Sequence, residues 1–312
     1  MIHELIPAYD PYVVWQYPWT DGLSSYGWVM LGGFLVAAAC GLVGNFLILR
    51  RMALIGDAMS HGLLPGLVVA FLVFQTRSSL AMLVGAIVAG LVTTGLIEII
   101  EKQARVKADA ALGVVFTSLF AFGVVLISLF ADHVDLDADC VLYGELAFVP
   151  LAQSVSIFGL AIPKPIVQLG CVCVVSSIVV WGLYKELVVV CFDKGYARAL
   201  GLPVSTIHYT LMLLVSLALV ASFEAVGVIL VIAMLVFPGA TAGLVSTRLP
   251  RILAITVLLA ALYAILGLHL ALYLDASIAG CMAVVAIAIF VGVWLVGLLI
   301  KKLSPLSVAP QQ

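Results

Sequence analysis

The feature that most limits how this chain can fold is a succession of unbroken apolar runs, each close to the roughly 20 residues that carry a helix across a bilayer. They fall at 27–49, 55–75, 79–99, 110–131, 166–184, 206–222, 226–246, 252–273 and 276–300. A segment inside hydrocarbon must satisfy its own backbone, so only a helix bundle or a closed barrel can span it. Barrel strands alternate apolar and polar residues, and these runs do not. Composition agrees: the chain is 65% hydrophobic and 10% charged, whereas soluble domains carry about 25% charged residues. So few charges could not cover a water-facing surface of this size. The sequence predicts an all-α, polytopic transmembrane bundle of about eight or nine spans.

Orientation follows from the basic residues, which gather on the cytoplasmic side. Arg50 and Arg51 follow the first run, and Lys102, Arg105 and Lys107 the third. Lys185, Lys194 and Arg198 follow the fifth, Arg248 and Arg251 the seventh, and Lys301 and Lys302 the last. If every run crosses, all of these share one side. The opposite loops hold Arg77 and Lys164 with the acidic run Asp132, Asp135, Asp137 and Asp139. The reading is a multi-pass protein of the cell (inner) membrane, with its N-terminus outside and its C-terminus cytoplasmic. The runs at 206–222 and 226–246 barely separate, with Ser222, Phe223 and Glu224 at the join. They form either a tight hairpin or a broken, re-entrant pair.

Residues 1–26, with Trp15, Tyr17, Trp19 and Tyr26 among prolines, read as an interfacial segment, since Trp and Tyr favour the headgroup level. Residues 27–302 form one transmembrane domain and 303–312 a cytoplasmic tail. No removable signal peptide is expected. The six cysteines are Cys40, Cys140, Cys171, Cys173, Cys191 and Cys281, and most lie in apolar runs as small hydrophobes. A net charge of −2 gives no pointer to nucleic acid, and membrane lipid is the expected surrounding.

Ionisable groups within spans are costly, so each is a functional candidate. Asp57 and His61 are four apart and share a helix face. A carboxylate and an imidazole together make half of a site for manganese, iron or zinc, without the thiolates that copper(I) favours. The alternative is a hydrogen-bonded pair that stabilises a helix start, where an acidic residue is common. Asn45, between Gly41 and Gly44, either bonds across helices or lines a path. Glu224 is a path residue or a carboxylate at a turn. His208 and His269 read as packing residues, and Glu98 and Glu101 as solvent-facing. Gly62 with Gly66, and Gly239 with Gly243, have the spacing of close helix packing. Pro65 and Pro238 would break or kink their helices. In the loop Cys191–Pro203, Asp193 caps a short amphipathic helix that Gly201 and Pro203 end. Such a helix is a handle for a soluble partner or a plain connection. The acidic run at 132–139 attracts cations or is simply solvated. No P-loop is present, so this chain does not hold ATP by that device.

Three segments carry a resemblance. They are Arg50 to Gly66, centred on Gly56-Asp57-Ala58-Met59-Ser60-His61-Gly62, the loop Phe192-Asp193 to Gly201-Leu202-Pro203, and Val226 to Ala242 with Phe237-Pro238-Gly239-Ala240-Thr241. Together they resemble the permease subunits of manganese, zinc and iron ABC importers, over about residues 27 to 300. Position 62 is more often Ala in that family. The resemblance implies a type II ABC importer permease fold and no enzyme activity in this chain. It implies a second permease copy or paralogue, an ATP-binding ABC subunit and an extracytoplasmic metal-binding receptor. It implies that Asp57 and His61 line the metal path, with no tightly bound cofactor beyond the transported metal. It also implies that Asp193, Ala197 and Gly201 belong to the ATPase coupling loop.

Rival readings are a permease for a metal chelate or vitamin, a passive channel and an intramembrane hydrolase. The last would rely on Ser60 beside His61. Consecutive helix residues point about 100° apart, so the two cannot form a dyad on a regular helix.

Overall fold

The computed structural model describes residues 11–52, 54–75, 79–130, 145–157 and 159–303. Two short turns, Tyr12–Gln16 and Tyr17–Trp19, lead into α1 (Leu23–Leu49). Then follow α2 (Ile55–Gly62), α3 (Leu64–Phe74), α4 (Ser79–Gln103) and α5 (Ala108–Phe130). After a turn at Leu146–Leu151 and a hairpin of β1 (Ser154–Ile157) with β2 (Leu160–Pro163) come α6 (Lys164–Gly182), α7 (Tyr184–Phe192) and α8 (Lys194–Ala199). The chain closes with α9 (Val204–Val226), α10 (Val228–Val245), α11 (Leu249–Leu274) and α12 (Ile278–Leu303). Among the described residues, eight helical stretches are long and apolar enough to span a bilayer, with α2 and α3 together making one of them.

α1 is the axis of the bundle, with 72% of its apolar window buried against 11% for α12 at the rim. It packs on α6, α9, α10 and α11. Small residues make this possible. At Gly44 the backbone meets the Leu235 carbonyl of α10 so closely that a Cβ would collide with it. Gly66 and Gly85 do the same for α3 and α4: a Cβ on either would come 2.6 Å from the other's carbonyl oxygen. Without a hydrophobic drive between helices in lipid, such close backbone approach supplies the van der Waals contact that holds them.

The break at Leu63 has a local cause. Pro65 has no N–H to give the His61 carbonyl four residues back. The Leu63 N–H keeps its ordinary bond to the Met59 carbonyl at 2.9 Å, so the ladder is interrupted only where Pro65 lacks a donor. Pro238, by contrast, sits inside a continuous α10.

The joint between α9 and α10 is a single residue, Gly227, at φ +77° and ψ 167°. This region of backbone space is open essentially to glycine alone. It lies inside the bundle. Near the start of α9, His208 meets Arg50 at the end of α1. Further along, Ser222 Oγ is 3.6 Å from Cys40 Sγ, which is about 14 Å inside α1 at 1.5 Å per residue. From Gly227 the chain returns: Leu235 meets Gly44, and Gly239 meets Ile48. Ala225, Val226 and Val228 are buried around the turn. The pair is therefore broken at one buried residue, and the join lies beyond Ser222–Glu224, at Gly227. α10 would be about 27 Å long, short of the roughly 30 Å hydrocarbon core.

Two further features lie outside the sequence reading. The connection before α6 contains the antiparallel hairpin, with Ser154 opposite Pro163 and Ile157 opposite Leu160. α1 begins at Leu23, within the segment read as interfacial. The acidic run 132–139 lies outside the described residues.

Candidate metal path and coupling segment

α2 carries Asp57 in its first turn, where a carboxylate complements the helix dipole. Ser60 Oγ donates to the Gly56 carbonyl at 2.7 Å, so its hydroxyl is committed. Asp57 and His61 face outward from the bundle, their side chains 50% and 31% exposed. Gly56, beside Asp57, closes on Leu235, the same residue that meets Gly44 of α1. The pair thus stands level with Gly44, inside the end of α1. Lipid is a poor neighbour for a carboxylate there; a wet path or another protein surface is a suitable one.

His61 Nε2 lies 3.7 Å from Asp57 Oδ1. That is too long for a hydrogen bond. Two ligands about 2.1 Å from one cation stand roughly 3.0 Å apart at a right angle and about 3.4 Å apart at the tetrahedral angle. A small rotation would close the pair on a shared ion. Behind the imidazole stand two rings of α5, Phe116 at 4.9 Å and 61° and Phe120 at 5.5 Å and 88° between planes. Among the described residues no group of three or more His, Cys, Asp or Glu could hold a metal. One chain brings together here one carboxylate and one imidazole, both of ligand chemistry.

Other candidates fall elsewhere. Asn45 is buried, and its Nδ2 donates to the Gly41 carbonyl at 2.7 Å and to Thr256 Oγ1 at 3.0 Å. It bonds across helices, joining α1 to α11. Glu224 lies in the last turn of α9, next to the buried joint. His269 is held at the far end of the bundle. Its Nε2 accepts from Trp19 Nε1 at 3.2 Å, which leaves the proton on Nδ1 to donate to the Ile265 carbonyl at 2.8 Å. Both nitrogens are used. Beneath those N-terminal turns a cavity of about 520 Å³ is lined by Val14, Trp15, His269 and Tyr273, among others. Gly62 faces Thr93, whose Oγ1 would be 2.6 Å from an added Cβ, so the hydroxyl occupies the room an Ala would need.

The basic end holds the second element. Asp193 Oδ1 caps α8, accepting from the Gly195 and Tyr196 amides at 2.7 and 3.0 Å. At the other end Gly201, at φ +75°, allows a paired closure. The Leu202 amide bonds the Ala197 carbonyl and the Gly201 amide the Arg198 carbonyl, both at 3.0 Å. Ala197 is fully buried, while Phe192, Tyr196 and Leu200 are 71%, 58% and 54% exposed. Tyr196 and Leu200 lie four apart along α8 and its C-cap, and Phe192 ends α7 just before the extended Asp193, so three exposed apolar side chains flank Lys194 and Arg198. Burial and the neighbouring Arg50 charge push the Lys194 ammonium down.

Sequence reasoning missed the contacts beneath this segment. Arg50 Nη1 lies 2.7 Å from His208 Nδ1. Glu98, read as solvent-facing, accepts from Tyr209 at 2.8 Å and from Lys102 at 2.7 Å, tying α4 to α9. Cys191 Sγ reaches the Phe46 carbonyl at 3.9 Å. Arg50 and His208 stand 158 positions apart, and no local pattern could pair them.

The sequence matches the ABC 3 transport family over residues 24–297. The chain belongs to that family. It is similar to the manganese transport system membrane protein MntD of Bacillus subtilis, with 41% identity over 295 residues covering 93% of this chain and 99% of that one. It is similar at 41% over 267 residues to the zinc transport system membrane protein TroD of Treponema pallidum, covering 86% and 72%. Among solved structures, PsaBC from Streptococcus pneumoniae in complex with Fab superposes with a TM-score of 0.73 at 28% identity, covering 88% of this chain and 93% of that one. As an ABC 3 family member the chain is a multi-pass membrane transport subunit with an ABC permease fold.

Proposed function

We propose that this chain is the permease subunit of an importer for a divalent transition metal, with Asp57 and His61 as ligands on the path. The observation that carries the reading is the outward-facing pair, 3.7 Å apart, at a depth where a lone carboxylate is costly. Oxygen and nitrogen ligands suit manganese, zinc and ferrous iron. The names of its relatives, manganese and zinc transport system membrane proteins, support the same class. A second permease copy related by a two-fold axis would bring a second such pair, giving two oxygens and two nitrogens around one ion.

The basic end is cytoplasmic by the charge rule, and so is the C-terminus. There α8 is the coupling helix, and the exposed Phe192, Tyr196 and Leu200 side chains at and around it seat in a partner ATPase. A metal-binding receptor delivers the cation at the far end. ATP binding closes the ATPases, moves α8 and opens the path inward. Glu224, carried to the buried end of α9, is a further path residue, and Asn45 braces the helices behind it.

The test is element-by-element uptake of manganese, zinc and iron in cells lacking this protein, complemented by wild type, Asp57→Ala or His61→Ala. Both variants should assemble and fail to restore uptake. Normal accumulation of every metal in both would reject the ligand assignment.

A further inference from the structure

We propose that Arg50 and His208 are positioning residues for transport: their contact makes α2, which carries Asp57 and His61, follow the coupling helix α8. The inference rests on the reading of Asp57 and His61 as ligands of the cargo.

A guanidinium is always protonated and only donates. At 2.7 Å, His208 must therefore accept through the Nδ1 lone pair, and a neutral ring carries its proton on Nε2. The charged donor makes this a stronger bond than a neutral pair. Glu98, the carboxylate nearby, already accepts from Tyr209 and Lys102. The charged groups around His208 are Arg50 from α1, Glu98 and Lys102 from α4 and Lys194 from α8.

The chain on either side of the contact has little slack. After Arg50, Arg51 turns left-handed at φ 56°. The Met52 amide bonds the Leu47 carbonyl at 2.9 Å, and the Ile55 amide bonds the Met52 carbonyl at 3.0 Å as α2 begins. On the other side Leu202 is bonded to Ala197 of α8, Val204 to Leu202 at 2.8 Å, and Ile207 to Pro203 at 3.1 Å. His208 follows at once. One stretch leads to the metal pair and one comes from α8, and this polar contact joins them beside the packing of α1 and α2 on α9. The apolar packing of α1 on α9 does not depend on it.

The experiment uses the assembled transporter with its ATPase and receptor in proteoliposomes. It measures manganese and zinc binding, ATP hydrolysis and metal carried per ATP. His208→Leu removes the acceptor, whereas His208→Asn places an amide oxygen near the Nδ1 position. We expect His208→Leu to bind metal and hydrolyse ATP like wild type, with metal carried per ATP down on the order of tenfold, and His208→Asn to restore the ratio. A wild-type ratio in His208→Leu overturns the proposal. So does an equal fall of hydrolysis and uptake in both variants, which is what plain loss of structure gives. Asp57→Ala separates the two readings. Lost metal binding there, with a wild-type ratio in His208→Leu, rejects only the joint. Wild-type binding in Asp57→Ala rejects the ligand reading and removes the joint's cargo with it.

Discussion

His61 stands edge-on to Phe116, with ring centroids 4.9 Å apart and planes at 61°. The imidazole is aimed at Asp57 by the neighbouring helix α5 as well as by its own. Aromatic pairs of this kind contribute about 0.5–1.5 kcal/mol beyond area burial. Phe116→Ala should therefore weaken metal binding to the purified transporter by about two- to tenfold, with ATP hydrolysis retained. An unchanged titration would mean that the ring does not hold His61.

Backbone on backbone leaves no room for relaxation at Gly44. Its Cβ would collide with the Leu235 carbonyl, and neither group can swing aside. Gly44→Ala should cost about 1–3 kcal/mol, as overpacking does, seen as a lowered Tm in detergent. Gly95 has nothing within 4 Å of an added Cβ. Gly95→Ala should leave Tm unchanged or raise it, since Ala is the better helix former by up to about 1 kcal/mol.

The ends of α8 can be loosened one at a time. Asp193→Ala removes the cap, at about 1 kcal/mol. Gly201→Ala places a Cβ in the left-handed region, at roughly 1–2 kcal/mol. Each should reduce the ATPase retained on co-purification while metal binding stays intact. Deletion of Gly195–Gly201 should abolish retention, and undiminished co-purification would reject the coupling role.

Burial pushes the Cys191 thiol from 9.0 up to about 11. The folded chain holds this proton more tightly than the unfolded chain does. Its contribution to stability is full below the ordinary thiol value and is lost as pH rises from there through about 11. Near pH 8 the thiolate fraction is small. Alkylation of Cys191, followed by mass spectrometry, should run slower in the folded transporter than in detergent-unfolded chain. Equal rates would refute the burial argument.

The span pattern was legible because hydropathy and loop charge report environment, and environment decides whether a segment is in lipid. Asp57 and His61 were legible because helix spacing puts positions four apart on one face. Depth within the bundle was not. The join of α9 and α10 sits at Gly227 and not at Glu224, because both flanks are equally apolar and only the backbone angle marks the turn. The hairpin Ser154–Pro163 was hidden by strands of four residues, too short for a periodic signal. Asn45 has the same sequence surroundings whether it lines a path or, as found, bonds Thr256 of α11. The pairing of Arg50 with His208 depends on how four helices assemble and leaves no mark on either local sequence.

Gly227 has a mechanical consequence. A loop of six residues would give two helices about a dozen free torsions between them, whereas one residue gives two. α9 and α10 are then the arms of a bent lever with a single fulcrum set within the protein. A tilt of α9 is either taken up in those two torsions or passed to α10, whose Leu235 is wedged between Gly44 and Gly56 beside Asp57.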